Sequence, residues 1–426
     1  MTVSESRPFG IWSRYYLAIV LANFFVASCM NFHTAVTTLY VVSLGGTAVY
    51  AGFLLTCFTF TGVFMRIVSG KLLDKIGRRK VIVVGLLIYA AATVLITVPW
   101  LPQLPFSRAL QAVGYSMAST GLTVAVTDVL PTDKMSEGIG YSGLVESLSS
   151  AIGPGLALWL YETARSYAAV YYASVLMMAI GMGVLLIFRY EEDKGFIERK
   201  RLHEERLGVS RQTSGSTPEP HAAPEKRSLW NLFERKAVPS LVTALFYSLA
   251  MSAKIAYLVL FAQEIGIGNA GLFYTLEASA TVLARLLCGK VADRFGPNSV
   301  LLPGLFAAIL CYGLLFLSPG HTIMFYAAGI VSGLGHGAIL PTLHAQAVRG
   351  VPPQRRGAAV ATYMIAFDVG IGFGGLIWGT MADGIGLSGV FLGCAACVAL
   401  SFLLSMILFR KKAVARSNDH KEDIIS

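Results

Sequence analysis

Charged residues are scarce in this chain of 426 residues: Asp, Glu, Lys and Arg together make up 14% of it. An ordinary soluble domain carries about a quarter of its residues as charges. Apolar residues account for 55% of the sequence, and the mean hydropathy is +0.64. This balance excludes a typical soluble domain and favours a lipid bilayer as the surrounding solvent.

Motifs for catalysis and for metal binding are also missing from the sequence. The six cysteines all lie within apolar runs, where Cys394 and Cys397 form a CxxC pair. In an apolar helix such spacing is more typical of small-residue packing than of a metal or redox site. We find no Ser/His pair, metal-ligand cluster or phosphate-binding loop. We therefore expect no enzyme activity, no metal and no cofactor.

Stretches of about 20 apolar residues, the length that a helix needs to cross the hydrocarbon core, recur along most of the chain. The sequence predicts an all-α membrane protein with twelve transmembrane helices. Their approximate positions are 16–42, 48–69, 81–101, 104–127, 138–161, 166–188, 238–262, 268–288, 298–318, 322–346, 357–381 and 387–409. The polar N-terminal stretch has no clear cleavage pattern, so we expect the first span to be retained.

The net charge of +10 is not spread evenly over the loops. Lys and Arg concentrate between spans 2 and 3, 8 and 9, and 10 and 11, and after span 12, whereas loops such as LGGTAVY and SPGHT contain neither residue. Cytoplasmic loops carry this excess of basic residues. The pattern predicts that both termini are cytoplasmic in a cell inner membrane, and it argues against nucleic acid as a partner.

The domain organisation follows from one long polar segment, residues 190–237. It begins with a helix-prone run of mixed charge and continues into SRQTSGSTPEPHAAPEKRS, a composition typical of disorder. We interpret it as a charged cytoplasmic linker. It divides an N-terminal bundle at 16–189 from a C-terminal bundle at 238–409, with cytoplasmic ends at 1–15 and 410–426.

The two halves repeat. Placed 219 residues apart without a gap, segments 51–77 and 270–296 share identities that include Arg66/Arg285, Gly70/Gly289 and Asp74/Asp293. One register held over this length predicts a duplicated six-helix unit with the same orientation in both copies. Like-oriented repeats related by an axis along the membrane normal leave a solute path at their interface.

The loop after the second span carries the sequence GKLLDKIGRRK at 70–80, and a weaker copy, GKVADRFGPN, stands at 289–298. This doubled loop resembles the signature of the major facilitator superfamily, whose fold is two pseudo-symmetric six-helix bundles. The resemblance implies a cytoplasmic latch in which Arg78 bridges Asp74 to an acid at the end of the fourth span; the alternative is that these charges only set topology. The residues implied are Gly70, Asp74, Gly77, Arg78, Arg79, Asp128, Gly289 and Asp293.

Two further segments resemble motifs of exporters in that superfamily. FSRALQAVGYSMA contains Arg108 and resembles a motif linked to proton transfer, although an Arg near the end of a span also commonly snorkels to the interface. The fifth span contains Gly153 and Pro154 and resembles the antiporter motif only in part. The match implies export, in the manner of the bacterial drug and metallophore exporters, and hence a link to drug resistance.

Ionisable residues inside predicted spans are the main site candidates, because a charge at the bilayer centre costs about 2.5–3.5 kcal/mol on insertion scales. Glu146 and Asp368 lie at pseudo-symmetric depths and suggest a proton relay, unless each is paired structurally. His33 could titrate near neutral pH or simply pack. Lys254 and Glu277 could form an ion pair. Candidates along the substrate path are Asn23, Asn31, Gln111, Tyr115, Tyr247, Lys254, Glu277 and Tyr363.

The residues and the resemblance together predict a secondary transporter that exports a small amphipathic molecule in exchange for protons by alternating access. We expect the partners to be that molecule, protons and lipid, and the protein to be a monomer. One alternative is a proton-coupled uptake symporter for a small metabolite. Another is a non-transporting membrane sensor that signals through residues 190–237.

Overall fold

The computed structural model describes residues 10–188, 190–206, 237–349, 351 and 356–425. Apart from turns and short connections, these residues are helical, and no strand occurs among them. The prediction of an all-α fold is therefore confirmed. The last sixteen described residues continue the final helix, where the sequence analysis placed a terminal tail.

Seven α-helices precede the gap at 207–236, and two short 3-10 helices flank the fourth of them. Their bounds are α1 Arg14–Ser43, α2 Ala48–Ile76, α3 Arg78–Ile96, a 3-10 helix Leu101–Gln103, α4 Leu104–Val129, a 3-10 helix Thr132–Lys134, α5 Met135–Ala164, α6 Tyr167–Ile187 and α7 Lys194–Arg206. Side-chain caps stabilise the N-termini of α1, α2 and α6. The hydroxyls of Ser13, Thr47 and Ser166 each accept a hydrogen bond from the backbone N–H three residues later.

Five α-helices follow the gap. Their bounds are α8 Val238–Glu264, α9 Ala270–Phe295, α10 Asn298–Phe316, α11 Thr322–Val348 and α12 Arg356–Ile425. The last of these breaks at Gly386, whose φ of 70° is not helical. The two predicted spans at 357–381 and 387–409 are thus one helix with a break, because the expected loop is reduced to this glycine.

Ten helices in the described part of the chain are long and apolar enough to cross a membrane. The fourth predicted span, α4, falls outside that set although it is 26 residues long, and it contains the polar Arg108 and Gln111. With α4 included and α12 divided at Gly386, the structure has the twelve membrane-spanning segments that the sequence predicts.

The connection between α2 and α3 recurs between α9 and α10, in the two positions where the sequence repeats. Gly77 ends α2 with φ at 90°, and Gly296 ends α9 with φ at 86°. Both φ angles are positive, a backbone conformation that residues with a Cβ rarely adopt, so glycine is required for each turn. The shared geometry explains why glycine occupies both copies of the loop.

Within each half, neighbouring helices pack into one bundle: α1 contacts α5 and α6, and α4 contacts α2 and α3, whereas α8 contacts α12 and α11 contacts α9 and α10. The bundles meet mainly through α2 with α12 and α5 with α9, and less extensively through α8 with α1 and α2. These helices therefore form the interface between the halves.

The backbones of α2 and α12 come close together near the start of α2, at the end of that helix opposite Ile76. The Tyr257 hydroxyl lies 2.5 Å from the Gly375 carbonyl, and the Thr56 hydroxyl donates to the Gly372 carbonyl at 2.6 Å. A Cβ on Gly52 would overlap both the Gly375 carbonyl and the Tyr257 hydroxyl. Small residues let the two backbones approach directly here.

The close approach at Gly52 predicts that Gly52→Ala weakens packing between the bundles. We expect a loss of about 1–3 kcal/mol of stability, as for other overpacked sites, measured as a lower midpoint of thermal unfolding in one detergent. Gly183→Ala in α6 is the control, because its new Cβ would have open space. An unchanged midpoint for Gly52→Ala would show that the contact is not tight.

Candidate functional site

A cavity of about 110 Å³ lies between the bundles and is enclosed by α1 and α5 on one side and by α8, α9 and α11 on the other. Most of its lining residues carry a polar group. The lining residues are Asn31, Thr34, Ser147, Ser150, Pro154, Met251, Lys254, Ile255, Tyr274, Glu277, Ala278, Thr281 and His336. Three predicted path residues, Asn31, Lys254 and Glu277, therefore meet at one site.

Lys254 and Glu277 form an ion pair in the cavity wall, joining α8 to α9. Ser332 on α11 bridges them: its hydroxyl lies 2.8 Å from Lys254 Nζ and 2.7 Å from Glu277 Oε1. The two charged side chains are only 8% and 14% exposed. Direct pairing, one of the two alternatives for these residues, is the arrangement that the structure contains.

The C-terminal wall of the cavity includes two polar groups that the sequence analysis did not select. His336 lies on α11, and its Nδ1 is 3.2 Å from the Tyr247 hydroxyl. Tyr274 lies on α9, one turn before Glu277. Neither residue belongs to a recognisable motif, so the sequence alone did not single it out. The predicted path residue Tyr247 thus contacts His336, which lines the cavity.

The N-terminal wall is uncharged where it lines the cavity. Asn31 donates its amide hydrogens to the Ala27 carbonyl at 2.9 Å and to the Ser149 hydroxyl at 3.4 Å. A Cβ on Gly153 would approach Asn31 Cβ to 2.8 Å, so glycine allows α1 and α5 to pack here. Pro154, the second residue of the predicted antiporter motif, lies in the cavity wall.

The two predicted relay carboxylates lie at the bundle interface and have different partners. Asp368 on α12 pairs with Arg66 on α2, across the interface. Glu146 accepts a hydrogen bond from the Asn23 amide at 3.0 Å, within the N-terminal bundle. Glu146 lies one turn before Ser150 on the same face of α5, and Ser150 lines the cavity.

Two arginines complete this interface, and the sequence analysis gave neither of them a role. Arg66 pairs with Asp368, whereas Arg285 on α9 donates to the Ser147 hydroxyl and to the Gly143 carbonyl at 3.2 Å on α5. The repeat could have identified them, because arginine occupies equivalent positions in both halves. An arginine inside a span needs a partner within the protein. Each links one bundle to the other.

Arg108 is buried inside the N-terminal bundle and does not snorkel, since it is only 3% exposed. Its guanidinium donates to Gln111 Oε1 at 2.9 Å and lies 4.8 Å from the centre of the Phe58 ring. Gln111 and the Tyr89 hydroxyl both lie near His33 Nδ1, at 3.5 and 3.2 Å. None of the described lining residues of the cavity belongs to this cluster.

The two other predicted aromatic residues lie in different bundles. Tyr115 packs against Phe58 and Tyr89 and interacts electrostatically with Glu146, Arg66 and Asp368. Tyr363 is buried on α12, with its ring 5.9 Å from that of His344. Tyr115 thus belongs with the interface charges, whereas Tyr363 packs one turn and a half from Asp368.

Arg78 contacts one of the two acids that the sequence analysis named for the latch. Arg78 Nε donates to Asp128 Oδ2 at 3.0 Å, which joins the start of α3 to the end of α4. Arg79 pairs with Glu192 at 2.9 Å. The side chains of Asp74 and Asp293 lie outside the described part of the structure, and Gly70 and Gly289 have open space at their Cβ positions.

The linker helix α7 packs on the N-terminal bundle beside this latch, where the sequence analysis expected only a charged tether. Phe196 is 4% exposed, and its ring lies 4.8 Å from that of Tyr15. Asp193 accepts hydrogen bonds from Tyr15 and from Arg14, and Lys200 donates to the Asp128 carbonyl at 2.6 Å. Residues 207–236 of the predicted linker lie outside the described residues.

The hydrogen bonds that hold α7 also affect the pKa of Asp193. The Tyr15 hydroxyl, then the Phe196 N–H and Arg14, lower the pKa of Asp193 from its usual value to about 2. A carboxyl group whose pKa is lower in the folded state stabilises that state at a pH above its unfolded pKa. The contribution disappears as the pH falls through the folded pKa. Docking by Asp193 is therefore fully effective at neutral pH.

Comparisons with known proteins agree with this architecture. The sequence model of the Major Facilitator Superfamily matches residues 19–276 and 241–424, which together cover nearly the whole chain. Among solved structures, the nucleoside transporter NupG superposes with a TM-score of 0.67 at 15% identity, over 93% of this chain and 99% of that one. A likeness at this identity concerns the fold.

Two curated relatives align over most of their length. The staphylopine export protein of Staphylococcus aureus is 23% identical over 378 residues, which cover 88% of this chain and 90% of the relative. The uncharacterised MFS-type transporter YhhS of Escherichia coli K12 is 25% identical over 412 residues, with 93% and 92% coverage. The transporter fold predicted from the motifs is thus matched along the whole chain.

The contacts of α7 predict that Asp193→Asn loosens its docking, because the neutral amide loses the charge-assisted bonds from Tyr15 and Arg14. We expect a few-fold faster tryptic cleavage after Arg199, Lys200 and Arg201 at neutral pH. Glu198→Gln is the control: Glu198 is exposed on the same helix, and its nearest cation is Arg201 at 4.0 Å. Equal cleavage rates in both variants would contradict a docking role for Asp193.

Proposed function

Because this chain belongs to the major facilitator superfamily, we propose that it is a proton-coupled exporter of a small amphipathic molecule. It is a membrane transporter by family. The export direction, the exchange for protons and the roles of individual residues are the parts that we propose. Two observations carry the proposal: the cavity between the bundles, with Lys254 and Glu277 in its wall, and the carboxylates Glu146 and Asp368 within the spans, the second of which is paired across the interface with Arg66.

The location of the cavity supports alternating access. It lies where α5 faces α9, and Arg285 on α9 contacts Ser147, one of its lining residues on α5. If the bundles rock about this seam, the cavity opens to one side and then to the other. A solute bound in the cavity would be carried across without a continuous channel.

The carboxylates support coupling to protons. Protonation of Asp368 would remove its charge and weaken the bond to Arg66 across the interface, so that the bundles could separate. Glu146 accepts a hydrogen bond from the Asn23 amide, and among the described residues no ion pair holds it. We propose that these two residues carry the proton and that Arg108 and His33 support the N-terminal bundle.

Two observations favour export over uptake. The fifth span contains Gly153 and Pro154 of the exporter motif, and both lie at the packed face of α5 beside the cavity. A relative that aligns over 88% of this chain is named as an export protein. We assign the cytoplasmic gate to Asp74, Arg78 and Asp128, with α7 as its brace, and the termini to the cytoplasm.

Flux in inverted membrane vesicles tests the direction. With an acidic interior, an exporter that exchanges protons should accumulate substrate inside and release protons, which a pH-sensitive acridine dye reports as a smaller gradient. The substrate used is any compound that raises the unfolding midpoint of the purified protein in a ligand screen. Accumulation in right-side-out vesicles under the opposite gradient would instead establish the uptake symporter.

Substitution of the carboxylates tests the coupling. We expect Glu146→Gln and Asp368→Asn each to lower flux driven by a pH gradient by about tenfold or more, as when a proton-transfer group is removed. Binding at equilibrium should persist in both variants. Glu264→Gln serves as the control, since Glu264 is an exposed carboxylate at the end of α8. Wild-type flux in both test variants would eliminate the relay.

A further inference from the structure

The Lys254–Glu277 pair leaves one donor and one acceptor unused beside each other in the cavity. Lys254 Nζ binds Glu277 Oε1 and the Ser332 hydroxyl, and an ammonium has three N–H groups. Both bonds to Glu277 reach Oε1, and within the described part of the chain Oε2 accepts none. Oε2 is not enclosed by protein, and both residues line the cavity.

The charge of the cavity wall comes from the C-terminal bundle alone. The four polar residues contributed by α1 and α5 are an amide and three hydroxyls: Asn31, Thr34, Ser147 and Ser150. The serine and threonine hydroxyls are engaged with backbone carbonyls of their own helices. Among the described lining residues, Lys254 and Glu277 therefore supply the formal charges opposite to those of a charged ligand.

From this geometry we propose that the cavity binds a zwitterion, specifically a head group with an ammonium and a carboxylate a few bonds apart, as in an amino acid. The ligand carboxylate would accept from the third N–H of Lys254, and the ligand ammonium would donate to Glu277 Oε2. The assignment specifies the substrate class of the cavity and so rests on the function proposed above.

The energetics of a buried pair select against other charge types. A ligand with only one charge strengthens its contact with one member of the pair and weakens the bond between the two, which leaves the other member poorly compensated in a desolvated site. A zwitterion compensates both members at once. A polar site also rejects an analogue that lacks one of the required groups.

The volume of the cavity sets how much of the ligand it holds. Sites for drug-sized ligands enclose about 300–1,000 Å³, whereas this cavity measures about 110 Å³. It therefore accommodates a head group, and any larger apolar part of the molecule extends along the cleft between α5 and α9. Tyr274 and His336 flank the pair and present a hydroxyl and a ring nitrogen to the head group.

Binding at equilibrium tests this assignment with three charge forms of one molecule. The probes are L-phenylalanine and L-leucine, each compared with its methyl ester, which is a cation, and its N-acetyl derivative, which is an anion. Affinity is measured by isothermal titration calorimetry at pH 7 with the purified full-length protein in detergent. We expect each zwitterion to bind at least about tenfold more tightly than either blocked form.

Paired variants separate recognition from folding. Lys254→Met with Glu277→Gln removes both charges at nearly constant volume, so no buried charge is left unpaired, and we expect the preference for the zwitterion to disappear. Exchange of the two residues, Lys254→Glu with Glu277→Lys, keeps both charges and should retain it. Glu264→Gln on α8 should bind as the wild type does.

Three results would overturn the assignment: equal affinity for all three charge forms, no binding of either zwitterion, or a preference that survives in the neutral double variant. The assay involves neither a membrane nor a gradient. A zwitterion preference without proton-driven flux would therefore refute only the proposed exchange, and proton-driven flux of a compound that lacks either charge would refute only the substrate class.

Discussion

The lack of water in the hydrocarbon core is the constraint on which the rest of this structure depends. Each polar or charged group there must find its partner within the protein, because an unsatisfied group costs several kcal/mol. Backbone groups meet this requirement through helices. Charged side chains meet it by pairing between helices, as Lys254 does with Glu277 and Arg66 with Asp368. One of these pairs lies at the bundle interface and the other in the cavity wall. The need to pair buried charges therefore also determines where the site lies.

The two halves satisfy this constraint in different ways despite their common origin in one repeat. Arg66 and Arg285 occupy equivalent positions, yet the first reaches a carboxylate and the second a hydroxyl and a carbonyl. The acid of the N-terminal half, Glu146, lies three residues from the position that corresponds to Asp368. One cross-bundle contact is therefore ionic and sensitive to protonation, whereas the other is a set of hydrogen bonds to α5. In our proposal this asymmetry lets a proton loosen one side of the seam while the other holds.

Charged side chains also hold the linker helix α7 on the N-terminal bundle, outside the membrane. Asp193 and Lys200 fasten α7 to the ends of α1 and α4, beside the Arg78–Asp128 pair. The start of α1, the latch and the linker thus form one connected unit on the N-terminal bundle.

Periodicity, loop charge and the repeat were enough to predict the helices, their number and the two bundles, because hydrophobic length and internal symmetry are local properties of a sequence. They also selected Lys254, Glu277, Glu146 and Asp368, since a charge inside an apolar run is visible without a structure. Partners were not visible, because pairing depends on how helices rotate and approach. Only the tertiary structure decided that Lys254 meets Glu277 beside Ser332, that Asp368 meets Arg66, and that Arg108 turns inward.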